Sequence, residues 1–294
     1  MKKYLLAMLC ASCTETIIPN DSFENAQDLG TIENNQIKES SGIVASYRNK
    51  GSFWTHNDSG DKSRLFVMDA NGKGTREFYL EGTSNRDWEA ISMATFPEGS
   101  FIYVGDIGDN NNVFAESAIY RVQEPEINAS TPQSSTLKNV QKITYKYSDG
   151  ARDAEAFLID QSSKDIYIIS KRESSKRLYR LPFPQSYNQT ITAEFVQELT
   201  FSAGAGTPLY IVDGNVSIDN KEIIIKNYLQ IFHWRRNANE SIPDALKRTP
   251  KMQSYFVEPQ GEGICFAQDD SGYYTLSEEG PNKSAVKLYY YKRK

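Results

Sequence analysis

Asp87-Trp88-Glu89-Ala90-Ile91, followed by Ser100-Phe101-Ile102-Tyr103-Val104-Gly105-Asp106-Ile107-Gly108-Asp109-Asn110, carries the plan of the whole chain. An acidic pair and a small residue open one apolar strand. A second apolar strand follows and ends in an acidic, Asn-rich loop. The plan recurs at Asp153-Ala154-Glu155-Ala156-Phe157 with Asp165 to Lys171, and at Gly261-Glu262-Gly263-Ile264 with Gly272 to Glu278. Looser copies run from Glu39-Ser40-Ser41-Gly42-Ile43 to Phe53 to Asp58, and from Asp213-Gly214-Asn215-Val216 to Glu222 to Asn227. A supersecondary unit repeated at this spacing cannot bury its faces alone, so its copies must pack on one another.

The repeat starts are separated by 48, 66, 60 and 49 residues, counted from Glu39 to Asp87, Asp153, Asp213 and Glu262. Propeller blades of four strands run at about 40–50 residues. The segment 123–139, rich in Pro, Ser and Thr, reads as an exposed insertion in the second copy. A short helix is expected at 242–247. The last copy holds three strands, ending at Val286 to Tyr291. Its fourth is expected from Gln27 to Ile32, which closes the ring and hides a sheet edge. The expected fold is therefore an all-β propeller of five four-stranded blades closed by an N-terminal strand. Six blades is the alternative, if the long second or third copy holds another.

The first strand of each blade lines the central channel and runs antiparallel to the second. Strand-one starts and strand-two ends therefore meet at one channel mouth. One column of the repeat reads Glu39, Asp87, Asp153, Val212 and Gln260. The next reads Ser41, Glu89, Glu155, Gly214 and Glu262, and a small column follows at Gly42, Ala90, Ala156, Asn215 and Gly263. The mouth should gather six carboxylates: Glu39, Asp87, Glu89, Asp153, Glu155 and Glu262. Converging carboxylates repel unless a cation or basic side chains neutralise them. Ca²⁺ or Mg²⁺, bound by oxygen ligands, answers the first case. Lys171, Arg172 and Lys226 answer the second, and capping of neighbouring backbone amides is a third use. Asn57, Asp58, Asp106, Lys171 and Asn227 are expected at the mouth as binding residues. His56, beside Asn57 and Asp58, is the candidate general base, and His233 is expected to be structural.

The N-terminus reads as targeting sequence. Lys2-Lys3 precedes the apolar run Tyr4 to Leu9 and then Cys10-Ala11-Ser12-Cys13. Residues 1–12 are expected as signal peptide, with Cys13 as lipidation site, 13–25 as tether and 26–294 as one propeller domain. Ordinary secretion is the alternative to a lipid anchor in a bacterial cell envelope. Beyond Cys13 the only mature cysteine is Cys265, so the fold rests on its core. The net charge of −5 disfavours nucleic acid as partner. A monomer is expected, touching membrane only through the anchor. The hydrolase elbow, zincin and P-loop signatures do not occur.

Glu39-Ser-Ser-Gly-Ile, Trp54-Thr-His-Asn-Asp-Ser-Gly, Asp87-Trp-Glu-Ala-Ile, Tyr103-Val-Gly-Asp-Ile-Gly-Asp-Asn and Asp153-Ala-Glu-Ala-Phe together resemble a family of secreted bacterial propeller proteins. Many of these are lipoproteins without a defined activity. The resemblance covers about residues 37–280. More distantly, Glu39 is similar to the metal-binding Glu that starts the first inner strand of gluconolactonase-like propellers, with Asn215 and Asp213 as candidate partners. Calcium-dependent apyrase and phytase propellers also place acidic residues at the mouth. Two functions follow as expectations. One is a binding or scaffold protein for a small molecule, glycan or protein. The other is a metal-dependent hydrolase of a phosphoester, ester or lactone. The lack of a visible nucleophile favours the first.

Overall fold

The computed structural model describes residues 20–201 and 209–294. Strand β1 (Gln27–Thr31) comes first. The first repeat supplies β2 (Ser40–Ala45), β3 (Ser52–Asn57), β4 (Arg64–Asp69) and β5 (Arg76–Leu80). The second supplies β6 (Trp88–Phe96), β7 (Gly99–Asp106), β8 (Ser117–Gln123), β9 (Ser134–Leu137) and β10 (Gln141–Tyr147). The third holds β11 (Ala154–Ile159), β12 (Ile166–Ser170), β13 (Lys176–Leu181) and β14 (Ile191–Leu199). Then come β15 (Ile211–Val216), β16 (Glu222–Asn227), β17 (Ile231–Arg235), helix α1 (Ile242–Leu246) and β18 (Lys251–Gln253). The last are β19 (Gly261–Phe266), β20 (Gly272–Ser277) and β21 (Lys287–Lys292).

Within each repeat the strands pair antiparallel in sequence order, interrupted only where β9 leaves the second. The first strands close a circuit: β2 lies against β6, β6 against β11, β11 against β15, β15 against β19, and β19 against β2. The chain is a β-propeller. First and second strands are buried along nearly their whole length, as in Ile166-Tyr167-Ile168-Ile169, because neighbouring sheets cover both faces. Outer strands such as β10 alternate buried and exposed residues, the period of a half-covered pleat. Apolar clusters fill the seams, for example Tyr103, Tyr145, Phe157 and Tyr179 between the second and third sheets.

The N-terminal closure lies where the sequence places it. β1 pairs antiparallel with β21, Gln27 opposite Tyr290. Packing begins before residue 26, the expected domain start. Phe23 bridges to Arg293 and is buried against Tyr273 and His233, so Asp21 to Asn25 is docked chain rather than free tether. Residues 1–19, with Cys13, lie outside the described residues. The segment 123–139 also differs from expectation. It supplies β9, which pairs parallel with β5 and covers that sheet's outer edge. Its Glu124 is buried and accepts bonds from Trp54 Nε1 (2.9 Å) and Ser100 Oγ (2.6 Å), joining two sheets. Helix α1 forms as expected, with Ser241 as N-cap.

Candidate functional site

One irregularity recurs at the start of every first strand. The register of first against second strand slips between Ser40 and Ile43, Trp88 and Ala90, Ala154 and Ala156, Ile211 and Asp213, and Gly261 and Gly263. The unpaired residues are Ser41-Gly42, Glu89, Glu155, Val212 and Glu262. A bulge leaves one residue without a ladder partner and re-aims its side chain. Here it directs three glutamates and a serine into the channel. It also corrects the repeat alignment. Val212, not Gly214, is equivalent to Glu89, and Tyr210 stands where Asp87 and Asp153 do. Asp213 then falls in the small column, opposite Ala90, Ala156 and Gly263.

The six expected carboxylates take different surroundings. Glu39 is exposed at the rim. Asp153 is buried, takes Arg172 Nε at 2.5 Å and accepts Asp109 N–H at 2.8 Å. Glu155 is buried and ion-paired through Oε1 with Lys171, while its Oε2 has no partner. Glu262 accepts from Tyr228 Oη (2.6 Å), Gln260 Nε2 (3.3 Å) and Ser41 Oγ (3.3 Å). Ser41 Oγ also lies 2.9 Å from Glu89 Oε2, so one hydroxyl sits between two buried carboxyls of different sheets.

Asp87 and Glu89 come together with Asp58. One carboxylate oxygen from each lies within 4.8 Å of the others. Gly108 forms the wall beside them. A Cβ there would sit 2.7 Å from Glu89 Oε1 and closer still to Asp87 Oδ2. Only glycine lets the Asp87 and Glu89 carboxylates close on the backbone here, and the convergence of three oxygens is the observation that fits an ion. No side-chain cation is paired with any of the three among the described residues. A hard divalent cation matches this all-oxygen set.

The electrostatics follow from burial and like charge. Burial first, then Asp87 and Glu262, push Asp58 up to about 7. Burial and the charges of Asp58 and Glu262 hold Glu89 well above the usual carboxylate range. Burial and neighbouring Asp153 raise Asp87. Glu278, facing Glu262, is pushed up to about 10 by burial and that neighbour.

Other expected mouth residues hold structure. Asn57 Oδ1 accepts Lys38 and Glu39 N–H groups, and Asn227 Oδ1 accepts those of Leu229 and Gln230. Asp106 accepts the Asp87 N–H at 2.9 Å. Asp213 and Asn215 cap the next first strand, accepting Ile264 N–H at 2.7 Å and Phe266 N–H at 3.2 Å. His56 is fully buried, edge-on to Trp88, with Nδ1 on the Asn57 carbonyl and Nε2 unpartnered. Burial lowers its pKa to about 4, so the ring is neutral at pH 7. His233 bonds buried Glu222 at 2.7 Å, beside Arg235 and Arg293. Sequence reasoning missed Gly108 and Tyr228 as site residues. Their signal lies in contacts across the channel, not in the repeat.

No family model matches the chain, and no curated protein matches it in sequence. Solved structures do. The PQQ-bound aldose sugar dehydrogenase of Streptomyces coelicolor superposes with a TM-score of 0.54 at 9% identity, over 94% of this chain and 100% of that one. A luciferin-regenerating enzyme superposes with a TM-score of 0.52 at 9% identity, over 91% of this chain and 94% of that one. At such identity the likeness shows the propeller fold alone.

Proposed function

We propose that this chain is a binding protein whose channel mouth holds a divalent cation between Asp58, Asp87 and Glu89, and that the ion presents the mouth to an oxygen-bearing ligand. The observation that carries this is the convergence of three carboxylate oxygens within 4.8 Å, none of them ion-paired to a basic side chain among the described residues, with a glycine wall beside them. The protein supplies a half-open oxygen set, and the positions left over are for water or ligand. PQQ, named with one structural neighbour, is itself a polycarboxylate. It suits this mouth poorly, because Lys171 and Arg172 are committed to Glu155 and Asp153.

Calorimetric titration with Ca²⁺ and Mg²⁺ tests the reading. Saturable binding is expected in the wild type, with loss in Asp58→Asn/Glu89→Gln. A folded wild type that binds neither ion overturns it.

A cation-dependent hydrolase is the second reading, supported by Glu278. Its carboxyl, pushed up to about 10, remains a proton donor at neutral pH beside the mouth. A cation there would polarise an ester or phosphoryl oxygen. Turnover of a panel of esters, lactones and phosphoesters that depends on both cation and Glu278 favours this reading over pure binding. The fully buried His56 supports a packing role better than that of base. Envelope attachment through Cys13 belongs to the same proposal and rests on the Lys2-Lys3, apolar run and Ala11-Ser12-Cys13 pattern.

A further inference from the structure

We infer that the face of the ring opposite the mouth is a membrane-docking surface, on which Phe183, Tyr187 and Ile218 enter the headgroup layer of a lipid bilayer while the mouth faces the aqueous side. This rests on the attachment through Cys13 proposed above. Second strands end at the mouth, so the turns that lead into them lie on the far face. Those turns are 97–98, 160–165 and 217–221 in the second, third and fourth sheets. Phe96 and Ile218 stand at two of them. Phe183 is tied to the other, donating its N–H to Asp165 Oδ1 at 2.8 Å, and its ring lies 5.9 Å from that of Phe96.

Phe183 is 45% exposed, Tyr187 39% and Ile218 37%. Large apolar side chains gathered on one face of a protein mark a contact surface for a partner or a membrane. The charged groups around them are neutralised among themselves. Arg180 pairs with Glu194 at 2.6 Å, Lys221 with Asp219 at 2.9 Å and Arg236 with Asp160 at 2.9 Å. Aromatic side chains with paired charges about them suit the headgroup layer, where amphipathic rings collect. The mouth exposes Val113 and Leu229 too, but the chain leaves the ring on the other side.

That exit decides what covers the far face. Arg293 donates to the Asn20 carbonyl at 2.9 Å and to Glu222 Oε1 at 2.9 Å, and it pairs with Asp270 at 2.7 Å. Glu222 opens β16 and Asp270 lies in the turn before β20, so Asn20 sits at the far face. Cys13 precedes Asn20 by seven residues, a reach of at most about 25 Å. A lipid on Cys13 therefore holds this face close to the bilayer. In the inverted orientation nearly all of that reach would be taken up along one sheet, since the six residues of β16 alone rise about 20 Å.

The test uses the full-length protein, produced in a bacterium and reconstituted in phosphatidylcholine–phosphatidylglycerol vesicles that carry a nitroxide on the lipid. A fluorophore is placed on Asn188→Cys, beside Tyr187, or on Asn111→Cys at the mouth. Both positions are exposed, and buried Cys265 does not compete for the label. Quenching is expected to be about threefold stronger at 188 than at 111, because the label beside Tyr187 reaches headgroup level. Phe183→Ser/Tyr187→Ser/Ile218→Ser should remove that difference and leave the melt unchanged, since all three side chains are exposed, and Phe183→Ser alone should narrow it. Mass spectrometry of residue 13 separates the two readings. If Cys13 is acylated and the labels are quenched alike, if 111 is quenched more, or if the triple variant keeps the difference, the face does not dock and the attachment stands. If Cys13 carries no lipid, both fall together.

Discussion

Tyr228 donates its phenolic hydrogen to Glu262 Oε1 at 2.6 Å, across the seam between β16 and β19. The acceptor is a buried carboxyl that also receives Ser41 and Gln260. A hydrogen bond to a charged group is worth about 1.5–3 kcal/mol. Tyr228→Phe keeps the ring and removes only the donor, so it should destabilise the fold by about 2 kcal/mol in a denaturant melt. An unchanged midpoint and slope would mean that Glu262 does not depend on this bond.

Gly108→Ala is expected to abolish Ca²⁺ binding without unfolding the protein. Its methyl would occupy the space against Asp87 and Glu89. The readout is the thermal melt with and without chelator. A bound ion stabilises by mass action, about 2.7 kcal/mol at a hundredfold excess over Kd. Wild type should lose that increment on chelation, whereas the variant should melt alike in both conditions. A variant that retains the wild-type response would place the ion elsewhere.

Stability should depend on pH through Glu278. Its folded pKa, about 10, lies above the ordinary value of 4.5. The folded state therefore holds a proton that the unfolded state releases above 4.5. The stabilisation is complete below that pH and is lost as pH rises towards 10, by at most about 1.4 kcal/mol per pH unit. Lowered His56 and Lys226 act in the opposite sense in their own ranges. The component belonging to Glu278 is the one that disappears in Glu278→Gln. Parallel stability–pH curves for wild type and variant would refute it.

Lys171 and Glu155 form a buried ion pair at the ends of β12 and β11. Removing one partner strands a charge and costs about 3–5 kcal/mol. Lys171→Met should therefore be strongly destabilising, and Lys171→Met/Glu155→Gln should recover most of the loss. A double variant as unstable as the single one would show that the lysine contributes by packing rather than by charge.

Phe23→Ala should destabilise the whole ring by about 3 kcal/mol, as large-to-small core changes do. The ring of Phe23 is 4.8 Å from that of Tyr273, with the Arg293 guanidinium over it at 4.6 Å. Deletion of residues 1–19 should leave the melt unchanged. Equal melts for wild type and Phe23→Ala would show that closure rests on β1 alone.

Repeat spacing, strand composition and the closing role of residues 27–32 were legible in the sequence. Those properties are local, since period-two alternation and turn residues declare strands wherever they lie. The approach of Glu89 to Glu262, with Ser41 between them, follows the same logic, because equivalent positions of a radial repeat must converge. Which carboxylate stays unpaired was not legible. Asp153 and Glu155 meet Arg172 and Lys171, whereas Asp87 and Glu89 meet Asp58, the Ser41 hydroxyl and the bare backbone of Gly108. Those encounters join residues from different turns of the chain. The bulge at each first strand was hidden for a related reason. A pattern of alternation assumes a regular pleat, and one unpaired residue reverses which face its successors occupy. That parity change carries Asp213 into the channel wall and seats Val212 where three other repeats hold glutamate. Only the closed ring decides it, because the ladder hydrogen bonds that set the register come from the neighbouring strand.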